Sequence, residues 1–471
     1  MMRKTLMAGG LAGMIALSGC VNLAPEHTQD ATRITEDWSD RVPSTAESTE
    51  LPAWREFFLD ARLRQVIELA LDNSSDARLA SLNVQRARSL YRIQDAGRYP
   101  SIDAIGSSNV QRVPESVSAA GSGGGQDYIS RQYSVGVGIT AFELDLFGRV
   151  ANLKSQALET YLSQEEARRS VEISLVAEVA NAWLQLAADE ELLTLARNTL
   201  DSQTQSYKLT ERSYEAGVAS ALALAQARTI VESARADVAA FTAQVEQDRN
   251  ALQLLVGAPI PAELKPGADD MQHPGVLAEL PAGVSSQALL SRPDVLAAEH
   301  ALQAANANIG VARAARFPSI SLTGFAGTAS SDLSTLFDAG TGTWSFAPQI
   351  SIPIFNAGAT KAGVAVADAD QQIALAQYEQ TVEVAFKEAA DALALRGTID
   401  DQLAARQAVT DAAAKAHSLS DARYRSGIDS YLNLLDAQRS LYAAQQQLIA
   451  TKLSRQSNLV TLYKVLGGGW S

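Results

Sequence analysis

The chain has 471 residues, 46% of them hydrophobic, and a formal net charge of −14 at pH 7. This acidic balance disfavours a nucleic-acid partner, because phosphate groups bind Lys and Arg side chains. The single cysteine excludes a disulfide within the chain and a cysteine-based metal site.

Residues 1–19 are predicted to be a lipoprotein signal peptide. Arg3 and Lys4 precede a short apolar run, and Leu17-Ser18-Gly19-Cys20 has the small residues before a lone cysteine that are typical of a bacterial lipobox. Cleavage there leaves Cys20 as an N-terminus carrying diacylglycerol and an N-acyl chain such as palmitate, and no other cofactor is expected. An ordinary signal peptide with an incidental cysteine is the alternative.

Residues 20–53 are polar and are predicted to be an extended, lipid-anchored tether. Beyond the signal peptide, no segment approaches the roughly 18 consecutive apolar residues of a transmembrane helix. Insertion into a membrane therefore requires a β-barrel, in which every strand is paired.

Two similar segments follow, and we predict that residues 54–256 and residues 293–466 are structural repeats. Tyr99-Pro100-Ser101-Ile102 recurs as Phe317-Pro318-Ser319-Ile320. Each repeat has the order helix, β-hairpin, long helix, turn, helix. The remaining segments are an equatorial connector and a C-terminal tail, residues 257–292 and residues 467–471.

Alternation with a period of two predicts one β-hairpin in each repeat, at about residues 101–146 and about residues 319–355. Apolar side chains alternate with small or polar ones over residues 133–141, and again over residues 344–354. Transmembrane barrel strands have this pattern, with aromatic residues near the membrane interface. A half-buried sheet in a soluble domain is the alternative.

A long helical hairpin follows each β-hairpin, at residues 149–256 and residues 359–466. Apolar residues with sustained three-four spacing predict coiled-coil packing. Gly217 and Gly427 mark the tips, because glycine accepts the backbone conformation that a helix reversal needs. The serine after each reversal is a predicted N-cap: Ser220 and Ser430.

No enzyme is predicted. The sequence lacks the HExxH, GxxxxGKS, GxxxxGKT and GxSxG motifs, and its four histidines are scattered without ligand spacing. The glycine run at residues 121–125 lacks a phosphate-binding lysine and a following helix start, so we interpret it as a flexible loop.

Four motifs together resemble the outer-membrane efflux protein family, the TolC-like channels, and within it the lipid-anchored drug-efflux branch. The resemblance covers essentially the whole mature chain. The motifs are Ala141-Phe142-Glu143-Leu144-Asp145-Leu146-Phe147-Gly148-Arg149, Ser291-Arg292-Pro293-Asp294-Val295, Phe317-Pro318-Ser319-Ile320-Ser321-Leu322 and Gly427-Ile428-Asp429-Ser430-Tyr431-Leu432. One departure is Asn356-Ala357-Gly358, where many relatives have a pair of glycines.

The resemblance implies a fold of mixed α and β class. Each chain of a homotrimer would give four strands to a 12-stranded barrel in the outer membrane, continuous with a long α-helical coiled-coil barrel in the periplasm. The implied function is the exit duct of a tripartite efflux pump for drugs or other small solutes. The implied partners are a periplasmic adaptor (membrane fusion) protein, an inner-membrane transporter of the resistance-nodulation-division type, and outer-membrane lipid.

The resemblance also implies two sets of site residues. Leu432, Asp436 and Arg439 would close the periplasmic entrance, and an exposed ion pair between Asp436 and Arg439 is the alternative. The tips would dock the adaptor, although the same residues also suit a simple helix reversal. The tip residues are Gly217, Val218, Ser220, Gly427, Ile428 and Ser430.

Two other functions fit the same sequence features. A type I protein-secretion duct has the same architecture, because the transporter selects most of the substrate. An envelope coiled-coil lipoprotein, such as a pump adaptor, is also helical and lipid-anchored, but typically has one helical hairpin flanked by compact β domains.

Overall fold

The computed structural model describes residues 22–25, 52–114, 127–268, 270, 276–278 and 286–468. The predicted signal peptide, Cys20 and the glycine run at residues 121–125 lie outside the described residues. The described chain has a mixed helix and strand fold, which confirms that part of the prediction.

The helices of the described chain are α1 Trp54–Phe57, α2 Ala61–Asn73, α3 Ser75–Ala96, α4 Arg149–Glu215, α5 Ala221–Val256, α6 Ser286–Leu290, α7 Pro293–Ala314, α8 Ala359–Arg425 and α9 Tyr431–Val465. The strands are β1 Asp103–Val113, β2 Tyr128–Leu144, β3 Ser319–Ser330 and β4 Gly342–Ser351. Both α4 and α8 contain 67 residues and begin 210 positions apart. At 1.5 Å per residue, each helix is about 100 Å long.

Contacts divide the chain into two compact units, which we describe separately. The strand unit contains residues 1–29, 85–163 and 299–376. The helical unit contains residues 30–84, 164–298 and 377–471.

The strand unit contains one antiparallel sheet in the order β1-β2-β3-β4. Each hairpin joins consecutive strands, and β2 pairs with β3 so that the two repeats share a single sheet. Gly136 faces Gly327 in this central pair. A Cβ on Gly136 would lie 2.4 Å from the carbonyl oxygen of Ala326, so only glycine fits without moving the strands. β1 and β4 are the two edges of the sheet.

The strand alternation ends sooner than the sequence predicted. The register of β2 against β3 shifts between Ile139 and Phe142, and Ala141 has φ of 51°. This bulge leaves Thr140 and Ala141 out of the paired register, because a bulge inserts a residue without a cross-strand partner. In the second hairpin β4 ends at Ser351, so the predicted face residues Ile352 and Ile354 lie past the strand.

The motif of residues 141–149 forms the junction between β2 and α4. Arg149 donates from Nε to Glu143 Oε1 at 2.7 Å, and Asp145 accepts from the backbone N–H of Ala151 at 2.7 Å. The Asp145 bond satisfies a backbone donor in the first turn of α4. The ring of Phe147 stacks on Phe317 with centroids 4.7 Å apart. The motif therefore fixes where the strand ends and where the helix begins.

The core of the helical unit is built around large buried side chains. Trp183 of α4 is fully buried, and its Nε1 donates to the carbonyl of Leu264 at 3.1 Å. Phe57 stacks on Tyr463 with centroids 4.4 Å apart. The predicted three-four seams supply much of the rest: Val176, Val179, Leu186, Val382, Ala385, Ala389 and Ile399 are buried.

The motif of residues 291–295 begins α7 with a buried arginine. The Arg292 side chain is 7% exposed and donates to Asp294 at 2.7 Å and to Glu388 of α8 at 2.8 Å. It also donates to the carbonyl of Val465 at 3.3 Å. A buried guanidinium needs such partners, because an unpaired buried charge is costly. These bonds hold the start of α7 against α8 and α9.

One stretch of α4 approaches a membrane-spanning helix in composition, although the sequence predicted no such helix. An 18-residue window reaches a mean hydropathy of 1.2, but 61% of it is buried inside the protein. A core helix has these properties, so the finding is weak evidence for a span.

Candidate functional site

The two helical hairpins reverse direction through the same backbone motif. The backbone N–H groups of Val218 and Ile428 each donate to the carbonyl five residues earlier, at 2.8 and 2.9 Å. Gly217 and Gly427 have φ of 74° and 70°, the left-handed conformation that glycine adopts without strain. This is the Schellman arrangement, which satisfies carbonyl groups at a helix C-terminus. Glycine at these positions is therefore required by the reversal itself.

The residue after each glycine presents an apolar side chain to solvent. Val218 is 83% exposed and Ile428 is 64% exposed. Exposure at the end of a long hairpin suits contact with a partner, and it is not needed for the turn. The docking role of the two tips stays a prediction.

The two tips differ in how their loops are held. Ser220 caps α5, because its side chain accepts from the N–H of Ala223 at 3.1 Å. Ser430 is in the N-cap position of α9 with a similar extended backbone, as predicted, but its side chain accepts no cap hydrogen bond. Instead, Arg423 donates two hydrogen bonds to Asp429, at 2.6 and 3.0 Å. These bonds keep the pKa of Asp429 below its usual value.

An apolar cluster packs beneath the tips and joins the hairpins. Tyr431 and Leu435 of α9 pack with Ala227 of α5, and Tyr207 of α4 lies against them. Burial of Tyr431 raises its pKa to about 12. The cluster fixes the start of α9, and so the residues that follow it.

The three predicted gate residues share one exposed face of α9. Leu432, Asp436 and Arg439 follow one another at four and then three positions, which places them on one side of a helix. All three line a groove of about 450 Å³ between α4, α5 and α9. Leu432 is 51% exposed. The structure therefore brings together the three residues that the sequence predicted to act together.

Within the part of the chain that the structure describes, no ion pair joins Asp436 to Arg439. The exposed helix pair, which was the alternative interpretation of these residues, is thus not formed. Both side chains are exposed at the surface of the groove.

Two hydrogen bonds across this groove were missed by the sequence analysis. Tyr442 Oη of α9 donates to Asp237 Oδ2 of α5 at 3.3 Å, and Gln203 Nε2 of α4 donates to Gln438 Oε1 of α9 at 3.0 Å. Together they tie the second hairpin to the first. Tyr442 lies three positions after Arg439, so its place on the gate face could have been read from spacing. The partner of Tyr442, Asp237 of α5, could not have been identified in this way.

Comparison with known proteins identifies the family. The profile described as Outer membrane efflux protein matches residues 66–258 and 284–468, which is most of the chain. The chain belongs to the outer membrane efflux protein family. It is an efflux protein of the outer membrane, as the sequence predicted.

The efflux protein is similar to relatives over its full length. It is 47% identical to the toluene efflux pump outer membrane protein TtgC of Pseudomonas putida, covering 100% of this chain and 96% of the relative. It is 42% identical to the cation efflux system protein CusC of Escherichia coli O157:H7, covering 97% of each. The proteins named here are pump components and none is named as an enzyme, consistent with the prediction of no catalytic role.

A solved structure gives the same result for the fold. The open state of the Neisseria gonorrhoeae MtrE outer membrane channel aligns with a TM-score of 0.81 and 37% identity, over 95% of this efflux protein and 98% of that chain. The fold of the efflux protein is that of an outer-membrane channel.

Proposed function

We propose that three copies of this chain form the exit duct of a tripartite efflux pump. The observation that carries the proposal is the four-stranded sheet, found in a chain that belongs to this family. The edge strands of the sheet, β1 and β4, have no further partner strand in the described chain. Each unpaired backbone group in hydrocarbon costs several kcal/mol, so the edges must pair with other copies. Twelve strands would form a barrel wide enough for water and solutes.

The exposed side chains of β4 support this use of the sheet. Trp344 is 78% exposed, Phe346 is 62% exposed and Ile350 is 63% exposed on the same face of the strand. An apolar face of this kind is stable against lipid and unfavourable in water. Aromatic residues near a strand start suit the membrane interface.

The partners proposed for the duct are a periplasmic adaptor and an inner-membrane transporter of the resistance-nodulation-division type. Drugs and other small solutes are the proposed cargo. One relative is named for toluene efflux and another for cation efflux, which supports a pump function. Because the named solutes differ, we propose that the transporter selects the solute. The adaptor would bind the tip residues, with Val218 and Ile428 as apolar contacts.

The gate residues would narrow the periplasmic entrance when three copies assemble. Three Leu432 side chains would form an apolar ring, and three Asp436 carboxylates an acidic ring. At a separation of about 6 Å, two carboxylates repel by about 3 kcal/mol at an effective dielectric of 20. The closed ring therefore opposes itself unless Arg439 of a neighbouring copy neutralises it. A gate with this balance would be opened by adaptor binding.

Cys20 is proposed to carry the lipid that joins the chain to the outer membrane. Stable anchoring by acyl groups alone needs more than one chain, and a barrel would hold the protein in the membrane in any case. The lipid would therefore serve maturation and positioning more than retention.

Reconstitution in planar bilayers tests the duct. The expected result is a heat-resistant oligomer with discrete conductance steps, together with restored drug resistance in a strain that lacks its own channel. A variant with Val218→Asp and Ile428→Asp should keep the conductance and lose the resistance, because only docking is removed. A folded oligomer without conductance would support a scaffolding lipoprotein instead. Conductance with protein export but no drug resistance would support secretion.

A further inference from the structure

A short segment next to the predicted lipid site lies along α7 in the strand unit. Arg313 donates from Nη1 to the carbonyl of Leu23 at 3.2 Å. Asn306 donates from Nδ2 to the carbonyl of Pro25 at 2.9 Å. The tether thus binds one helix face through its backbone, so the contact does not depend on large tether side chains.

The order of these contacts gives the direction of the tether. Residue 23 contacts Arg313 and residue 25 contacts Asn306, seven positions earlier in α7, which is about 10 Å along the helix axis. The tether therefore runs antiparallel to α7. Followed backwards toward Cys20, it leads to the C-terminal end of α7, just before β3 begins.

At one position of the same helix face, the absence of a side chain makes room for the tether. A Cβ on Gly310 would lie 2.5 Å from Asn152 Nδ2 and 3.0 Å from the backbone nitrogen of Ala24. Asn152 of α4 is 3% exposed, and its Nδ2 donates to Asn22 Oδ1 at 2.9 Å. A buried amide needs a partner, and here the tether supplies it. Any larger residue at 310 would displace both the amide and the tether.

We propose that Asn152, Asn306, Gly310 and Arg313 form an anchor clamp that sets where the N-terminus enters the outer membrane. The inference rests on the proposed lipidation of Cys20. Asn22 lies two positions after Cys20, a reach of at most about 7 Å. The acyl chains would therefore enter the periplasmic leaflet beside the junction of α7 and β3. The clamp aligns the lipid anchor with the periplasmic end of the strands.

A spin label at residue 23 tests the clamp in the full-length protein. Cys20 is the only cysteine and is blocked by lipid in the mature chain, so Leu23→Cys provides a single reactive thiol. In phospholipid vesicles the label should be immobilised. Its relative accessibility to oxygen and to a water-soluble nickel chelate should place it at the headgroup level. A mobile label, or one with the accessibility of bulk water, would overturn the proposal.

Two sets of variants separate the clamp from the lipid. The triple variant Asn152→Ala, Asn306→Ala and Arg313→Ala should lose the immobilised signal of the label and retain the heat-resistant oligomer and its conductance. The control variant Asn308→Ala, on the same helix, should keep the immobilised signal. An immobilised label in the triple variant would reject the clamp.

The second set removes the lipid itself. Cys20→Ser behind an ordinary signal peptide should still give an immobilised label, because the clamp acts on Asn22 and the residues after it. Mass spectrometry of the wild-type N-terminus reports lipidation independently. Absence of an acyl group would reject the lipid and with it the membrane role of the clamp, whereas the label would still report whether the tether docks.

Discussion

The first and second helical tips have the same backbone conformation and differ in their polar side chains. Gly217 and Gly427 have nearly the same φ, and the same two hydrogen bonds close each helix. A serine cap holds the loop after the first reversal, and the Arg423–Asp429 ion pair holds the second. The reversal allows little change because its geometry demands glycine. The side chains that do not make the turn differ between the two tips.

The groove behind the tips shows the same divergence. The proposed gate residues Leu432, Asp436 and Arg439 lie 210 positions after Leu222, Gln226 and Thr229. Gln226 and Thr229 line the same groove, so the first hairpin has neutral side chains at the two positions where the second has Asp436 and Arg439. The comparison predicts that gating belongs to the second hairpin alone.

The largest stability difference is expected at a half-buried carboxyl in the first hairpin. Asp248 of α5 lies beside Asp189 of α4, and burial together with that contact raises the pKa of Asp248 to about 7. The matching position in the second hairpin is Asn458, which donates to the carbonyl of Ala392 at 3.0 Å. Asp248→Asn should raise the free energy of unfolding at pH 8 by about 1–2 kcal/mol. One pKa unit is worth about 1.4 kcal/mol, and partial exposure reduces the total.

The sign of the pH dependence follows from the raised pKa. Between the ordinary carboxyl pKa near 3.8 and about 7, the folded state holds a proton at Asp248 that the unfolded state has lost. Stability should therefore fall as pH rises through this window, and Asp248→Asn should flatten that slope. Denaturation midpoints from pH 4 to pH 8 measure it. Asn458→Asp is the reverse exchange, and it should lower the free energy of unfolding at high pH. Equal slopes in wild type and Asp248→Asn would reject this account.

A smaller difference is expected at the serines after the two tips. Ser220→Ala should destabilise the first turn of α5 by about 1 kcal/mol, the usual cost of a lost N-cap. Ser430→Ala should destabilise the first turn of α9 much less, because the Ser430 side chain makes no cap hydrogen bond. Hydrogen exchange of amides in the first turn of each helix compares the two. Equal effects would mean that the tips are held alike.

The sequence predicted the features that depend on local backbone preferences. Glycine at 217 and 427 marked both reversals, and alternation located the strands. The bulge at Ala141 was missed, because a bulge depends on the register of β2 against β3, about 180 positions apart. The hydrogen bond between Asp237 and Tyr442 was missed for the same reason. It joins residues 205 positions apart, and no local pattern specifies such a pair.

Single-channel conductance of two matched variants tests the central claim, that the second hairpin alone forms the gate. Leu432→Ala with Asp436→Ala removes the proposed rings. Leu222→Ala with Gln226→Ala makes equivalent changes at the same positions of the first hairpin. The first variant should raise the conductance of the folded trimer, and the second should leave it at the wild-type value. Unchanged conductance in the first variant, or an equal rise in both, would contradict the account.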